Sequence, residues 1–300
     1  MPFTELEKEK FRKIILETGG NRETMLKART IPDEYREYLN KVERKTEVVP
    51  VPSAGVPVTC YISAAKDRTD HCPVHINCHG GGFYLPQNRD DDMYCAHLAA
   101  EIKGIVVDVD YALCPDYQYP TAFLQSYEAV KWAFSQCKTW GGDPKRISMG
   151  GHSAGGNLTA AVALKANRTK EFQLCLQILD FAALDLAAFT QGEDLQARRS
   201  RAFHDMYSGC NDSVCSQPYY TPLLAEDSDL KGLPETLIIA AGICPFKEMN
   251  LEYGARMAAQ GVAVTMKCFA DSHHGFTMRM LDEWQEAQQM IIGKLRETSL

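Results

Sequence analysis

The chain has 300 residues with 45% apolar content and a formal net charge of -7, an ordinary balance for a globular α/β protein with a lid. Without a basic patch, that charge argues against nucleic acid as a partner, and no apolar run approaches the ~18 residues a membrane crossing needs. The first thirteen residues are charged throughout and lack the apolar centre of a signal peptide, so the expectation is a cytoplasmic protein with no membrane span.

Residues 1–45 are expected to form an N-terminal helical segment. Apolar positions at Phe11, Ile14, Ile15, Met25 and Leu26 suit two amphipathic helices broken near Gly19-Gly20 and at Ile31-Pro32. From residue 46 the pattern changes to a core running to residue 300. Residues 48–51 and 56–62 read as paired strands joined at Ser53-Ala54-Gly55. Buried strands then alternate with helices: strands at 74–78, 105–109, 146–150, 174–179, 236–241 and 262–269, with helices near 91–102, 122–136, 156–164, 247–260 and 281–295. That alternation predicts an α/β fold whose mostly parallel sheet, about eight strands in all, is covered on both faces. Residues 186–220 carry no strand signal and are expected to form a lid insertion rather than a bare loop. The strand near 262–269 reads as a sheet edge, where a homodimer could pair.

The eleven cysteines show no C-x-x-C pair, the nearest spacing being Cys210 with Cys215. An odd count favours reduced thiols over a disulfide framework, and Cys60, Cys78, Cys175 and Cys268 are expected inside strands. The eight histidines show no zinc-ligand spacing with them, so neither metal nor organic cofactor is implied.

Three features carry chemistry. Strand 74–78 runs into His79-Gly80-Gly81-Gly82-Phe83, and consecutive glycines let backbone N–H groups approach a substrate closely. A phosphate loop is the rival use, but no Lys-Ser/Thr follows. Gly151-His152-Ser153-Ala154-Gly155 reads G-x-S-x-G between a strand and a helix, the context of a nucleophile elbow. Ser272-His273-His274-Gly275-Phe276 then supplies histidine after the last strand, where a hydrolase base belongs.

This set resembles the hormone-sensitive-lipase-like family of α/β-hydrolase esterases over roughly residues 47–300. Residues 79–82 resemble its HGGG motif, 110–116 its D-Y-R-L-A-P-E, 151–157 its G-D-S-A-G-G-N and 274–276 its closing H-G-F. The resemblance implies an α/β-hydrolase fold and hydrolysis of small short-acyl esters. It also implies that Ser153 is the nucleophile, His274 rather than His273 the base, and the N–H groups of Gly81, Gly82 and Ala154 the oxyanion hole. His79 is read as orienting the glycine loop, and His152 is given no role.

The departure is the acid. The family's D-P-L-x-D aligns with Cys244-Pro245-Phe246-Lys247-Glu248, so a cysteine stands where aspartate is expected. A neutral thiol is a poor acceptor for imidazole N–H. Glu248, one helical turn further on, is the first replacement considered as catalytic acid, and Asp180 the second. The alternative is a non-catalytic small-molecule-binding protein on the same fold, as in the plant gibberellin receptors, which resemble this family without its triad histidine.

Overall fold

A computed structural model describes residues 3–18, 33–188, 190 and 192–298. Eight strands form one sheet in the order β1-β2-β4-β3-β5-β6-β7-β8. They are β1 Val42–Val49, β2 Val58–Ala65, β3 Cys72–Cys78, β4 Ile105–Asp110, β5 Gly142–His152, β6 Leu176–Asp180, β7 Glu235–Ile243 and β8 Val264–His273. The β1–β2 and β2–β4 pairs are antiparallel and the rest parallel, with β8 at one edge. The hairpin turns through the Ser53–Gly55 segment with Val49 opposite Val58, as its sequence predicts.

The longer helices are α1 Glu5–Glu17, α2 Arg89–Ile102, α3 Thr121–Gln136, α4 Ala154–Thr169, α5 Leu195–Ser208, α6 Lys247–Ala259 and α7 Trp284–Glu297. Two separate apolar cores flank the sheet, one built with α3, α4 and α6 and the other with α2 and α7. Every residue of β3 is buried, as a strand covered on both faces requires, and its two polar side chains find partners there, His75 with Ser148 and Asn77 with Asp108.

Three expectations need adjusting: β1 begins at Val42, so residues 42–45 of the segment expected to be helical are strand, paired with β2. Cys175 precedes β6 instead of lying within a strand, and β8 extends to His273, so the histidine loop begins directly at the strand end. The second N-terminal helix, around Met25 and Leu26, falls outside the described residues. Helix α1 is capped by Thr4, whose hydroxyl accepts from Glu7 N–H while the Glu7 carboxylate accepts from Thr4 N–H. It packs on α5, where Arg198 pairs with Glu17 at 3.2 Å.

The tightest backbone approach is at the start of α4. A Cβ placed on Gly155 would lie 1.9 Å from the Cys78 carbonyl oxygen, so only glycine lets the helix sit against β3. Gly293, inside α7, has nothing within 4 Å of such a Cβ. Gly155→Ala is therefore expected to cost about 3 kcal/mol or more, while Gly293→Ala stabilises by about 0.5–1 kcal/mol. Thermal unfolding of the two variants should move in opposite directions.

Candidate active site

The parallel strands β5 and β6, the glycine loop after β3 and the loop after β8 converge on one cavity of about 620 Å³. Ser153 joins β5 to α4 with φ 57° and ψ -116°, a left-handed conformation that a non-glycine residue adopts only when its surroundings hold it. Here they do. Ser153 N–H donates to the Asp180 carbonyl at 3.0 Å, and its own carbonyl accepts from Asn157 and Ala183 N–H at 3.1 Å each. This conformation places Ser153 directly before the N-terminus of α4, which begins at Ala154.

His274 follows the end of β8 immediately. Its Nε2 lies 3.1 Å from Ser153 Oγ. Phe181 and Phe246 stand edge-on to the imidazole, with centroids at 4.9 and 5.1 Å, and hold its plane. His273 turns outward instead, meeting the Asp282 carboxylate at 3.1 Å with its side chain 63% exposed.

The other imidazole nitrogen faces sulfur. Cys244 Sγ sits 3.1 Å from His274 Nδ1 and accepts from Phe246 N–H at 3.4 Å. Burial pushes this thiol up to about 11, so at neutral pH it keeps its proton. An aspartate can only accept and would force the proton onto Nδ1. A thiol has a proton of its own to give, and its sulfur is already an acceptor for Phe246. Where S–H donates to Nδ1, the imidazole proton sits on Nε2; where Nδ1–H donates to sulfur, Nε2 is left free to accept from Ser153 Oγ.

Glu248 is not brought to His274. It lies in the first turn of α6, pairs with Lys247 at 3.4 Å, and its side chain is 81% exposed. The expected reach-back from one turn along needs residues 244 and 248 on one helix face, but α6 begins at Lys247 and Cys244 lies in the loop before it. Asp180 is buried at the end of β6, where one carboxylate oxygen accepts from the Thr277 hydroxyl, and burial raises it well above the ordinary carboxylate range.

The glycine loop is held from behind. The ring of His79 stacks on Tyr111 at 4.2 Å, and its Nδ1 lies 2.8 Å from the Gly80 carbonyl. The Gly81 carbonyl accepts from Tyr84 and Leu85 N–H at 3.1 and 3.0 Å. Gly81 and Gly82 both have positive φ, 123° and 63°, which spares side chains the strain of the turn. In a planar trans peptide the N–H points opposite the carbonyl, so the Gly81 N–H faces away from the His79 ring and the Gly82 N–H away from Tyr84 and Leu85; both glycines line the cavity.

His152 is not solvent-facing: it is buried, and its Nε2 accepts from Gly80 N–H at 3.0 Å. Its position inside the G-x-S-x-G motif gave no hint of this, because the contact crosses between neighbouring strand ends. Phe203 and Tyr207 of α5, together with Thr18 after α1, line the same cavity as Ser153.

Among the described residues, His204, Asp205 and Asp212 form one cluster of metal-ligand type, but Arg201 already bridges both carboxylates at 2.8 and 3.2 Å. All eleven cysteines are free thiols. No helix among the described residues is long and apolar enough to cross a membrane.

A family profile described as the alpha/beta hydrolase fold matches residues 75–278. The chain belongs to the α/β-hydrolase fold family. Within it, the motif set places the chain with the hormone-sensitive-lipase-like esterases. It is 32% identical over 214 residues to carboxylesterase NlhH of Mycobacterium tuberculosis, covering 69% of this chain and 67% of that protein. It is 30% identical over 240 residues to the carboxylic ester hydrolase LipN of the same species; that alignment covers 76% of this chain and only 62% of LipN. Among solved structures, a thermostable esterase from Pseudomonas putida ECU1011 superposes with a TM-score of 0.82 at 25% identity, covering 100% of this chain and 99% of that one. Carboxyl esterase 2 from Tuber melanosporum gives 0.78 at 27% identity, covering 87% and 88%.

Proposed function

We propose that this protein is a serine carboxylesterase for small short-acyl esters, working below the family's usual rate because its triad acid is a thiol. The observation that carries the reading is the 3.1 Å approach of Ser153 Oγ to His274 Nε2 beside a substrate-sized cavity. Ser153 Oγ attacks the ester carbonyl as its proton passes to Nε2, and the carbonyl electrons move onto oxygen. The N–H groups of Gly81, Gly82 and Ala154 stabilise that oxyanion. The proton on Nε2 then leaves with the alcohol, and water repeats the sequence on the acyl-enzyme.

The first step needs Nε2 without a proton. With the neutral thiol donating to Nδ1 at rest, the imidazole must first exchange tautomers, turning Nδ1–H to a weak sulfur acceptor. Replacing the acid of a serine-protease triad by a neutral group costs about 10⁴ in turnover, which sets the scale of impairment. Helix α1 and the insertion's helix α5 serve as the lid, a role supported by Thr18, Phe203 and Tyr207 lining the cavity.

The neutral thiol also supports a second reading, a non-catalytic protein that binds a small molecule in the same cavity. Hydrolysis of p-nitrophenyl acetate and butyrate separates the two. The wild type should exceed the buffer rate and Ser153→Ala should fall to it. Equal rates for both proteins would leave only the binding reading.

The acid's contribution has its own signature. Cys244→Asp should raise kcat by about 10²-fold or more. In the wild type the thiolate is the form that accepts from Nδ1–H, and its fraction grows about tenfold per pH unit up to about 11. Its log kcat/KM, corrected for base hydrolysis, should therefore climb between about pH 8 and 10. Cys244→Asp should be flat over that range. A wild-type plateau matching the aspartate variant's would show that the thiol does not limit the rate.

A further inference from the structure

The glycine loop and the nucleophile come from different strands, and the oxyanion hole needs amides from both at a fixed separation. One side chain joins them. His152 is the last residue of β5, directly before Ser153, and its Nε2 accepts from Gly80 N–H at 3.0 Å. A backbone amide can only donate, so this nitrogen carries no proton and the neutral ring holds its hydrogen on Nδ1. The carbonyl of that same peptide, His79 O, accepts from the Tyr111 hydroxyl at 2.8 Å. Both ends of the 79–80 peptide are thereby fixed, and with them the direction in which the chain enters Gly81. The fit is close: a Cβ on Gly80 would lie 2.8 Å from His152 Cδ2.

We propose that His152 is a positioning residue for ester hydrolysis, setting the amides of Gly81 and Gly82 relative to Ser153. The inference rests on the esterase reading and extends it. Removing the acceptor leaves a buried N–H unsatisfied at the base of the loop, and the loop moves to satisfy it. The donors then miss the oxyanion while the rest of the cavity is unchanged. Losing one oxyanion donor outright costs about 10²–10³ in kcat, so displacing the pair by part of an ångström should cost about 10–100-fold. Substrate binding, which uses the cavity walls, should be nearly untouched.

Two variants that differ by one methylene carry the test. The amide oxygen of His152→Gln reaches the position of Nε2, and its NH₂ can face Asp91, whose Oδ1 lies 3.9 Å from that nitrogen. The amide oxygen of His152→Asn stops at the position of Nδ1. Each is assayed with p-nitrophenyl butyrate for kcat and KM. Each is also titrated with a trifluoromethyl ketone, which forms an oxyanion adduct when Ser153 Oγ bonds to its carbonyl carbon and the serine proton moves to His274. The expected result is wild-type-like behaviour for Gln. For Asn, kcat and ketone affinity should fall together by about 10–100-fold at constant KM. Asn equal to or better than Gln, or a loss appearing in KM alone, overturns the proposal. A wild type that neither turns over ester nor binds the ketone defeats the esterase reading itself, a result distinct from any difference between the variants. Should Asn fail to fold, Gln alone decides: a large loss of kcat in a folded Gln variant contradicts the role assigned to the Nε2 acceptor.

Discussion

An imidazole has two nitrogens and, when neutral, one proton to place between them. In this chain His274 reaches Ser153 Oγ with one nitrogen and Cys244 Sγ with the other, both at 3.1 Å. In the proposed mechanism these are the contacts of a serine triad with a thiol in place of the carboxylate. A carboxylate accepts and never donates at neutral pH. A buried thiol pushed up to about 11 keeps its hydrogen and has it available for Nδ1. The same distances therefore support opposite tautomers, and only one lets Nε2 take the serine proton.

The rest of the fold holds this arrangement still. Continuous apolar strands bury β3 on both faces and let α4 approach the Cys78 carbonyl across Gly155. That packing sustains the positive φ of Ser153, with the Asp180 carbonyl and the Asn157 and Ala183 amides fixing its peptides. Two phenyl rings fix the plane of the imidazole, and a buried histidine fixes the glycine loop. Strain at one residue is sustained by order at many others.

Much of this was legible in the sequence because it rests on short-range rules. Apolar runs of strand length between amphipathic helices imply a covered parallel sheet. The glycine loop, the elbow and the histidine loop each follow a strand whose end they need, and that order singled out Ser153 and His274, which the fold brings within 3.1 Å of each other. What could not be read depends on where a segment changes direction. Glu248 looked able to reach back because residues four apart share a helix face, but the helix starts at Lys247, after the residue it had to replace. His152 was given no role because its partner, Gly80, lies 72 positions away and is met only when β3 and β5 pair. Contacts between backbone and side chain at such separation leave no periodicity to find.

The most direct test of this account is the protonation of His274 at rest, read by ¹⁵N NMR of the histidine-labelled protein near neutral pH, with His274→Gln to assign the signal. The account predicts an imidazole protonated on Nε2, with Nδ1 bare and facing the thiol. A resting His274 protonated on Nδ1, as beside a carboxylate, would contradict it.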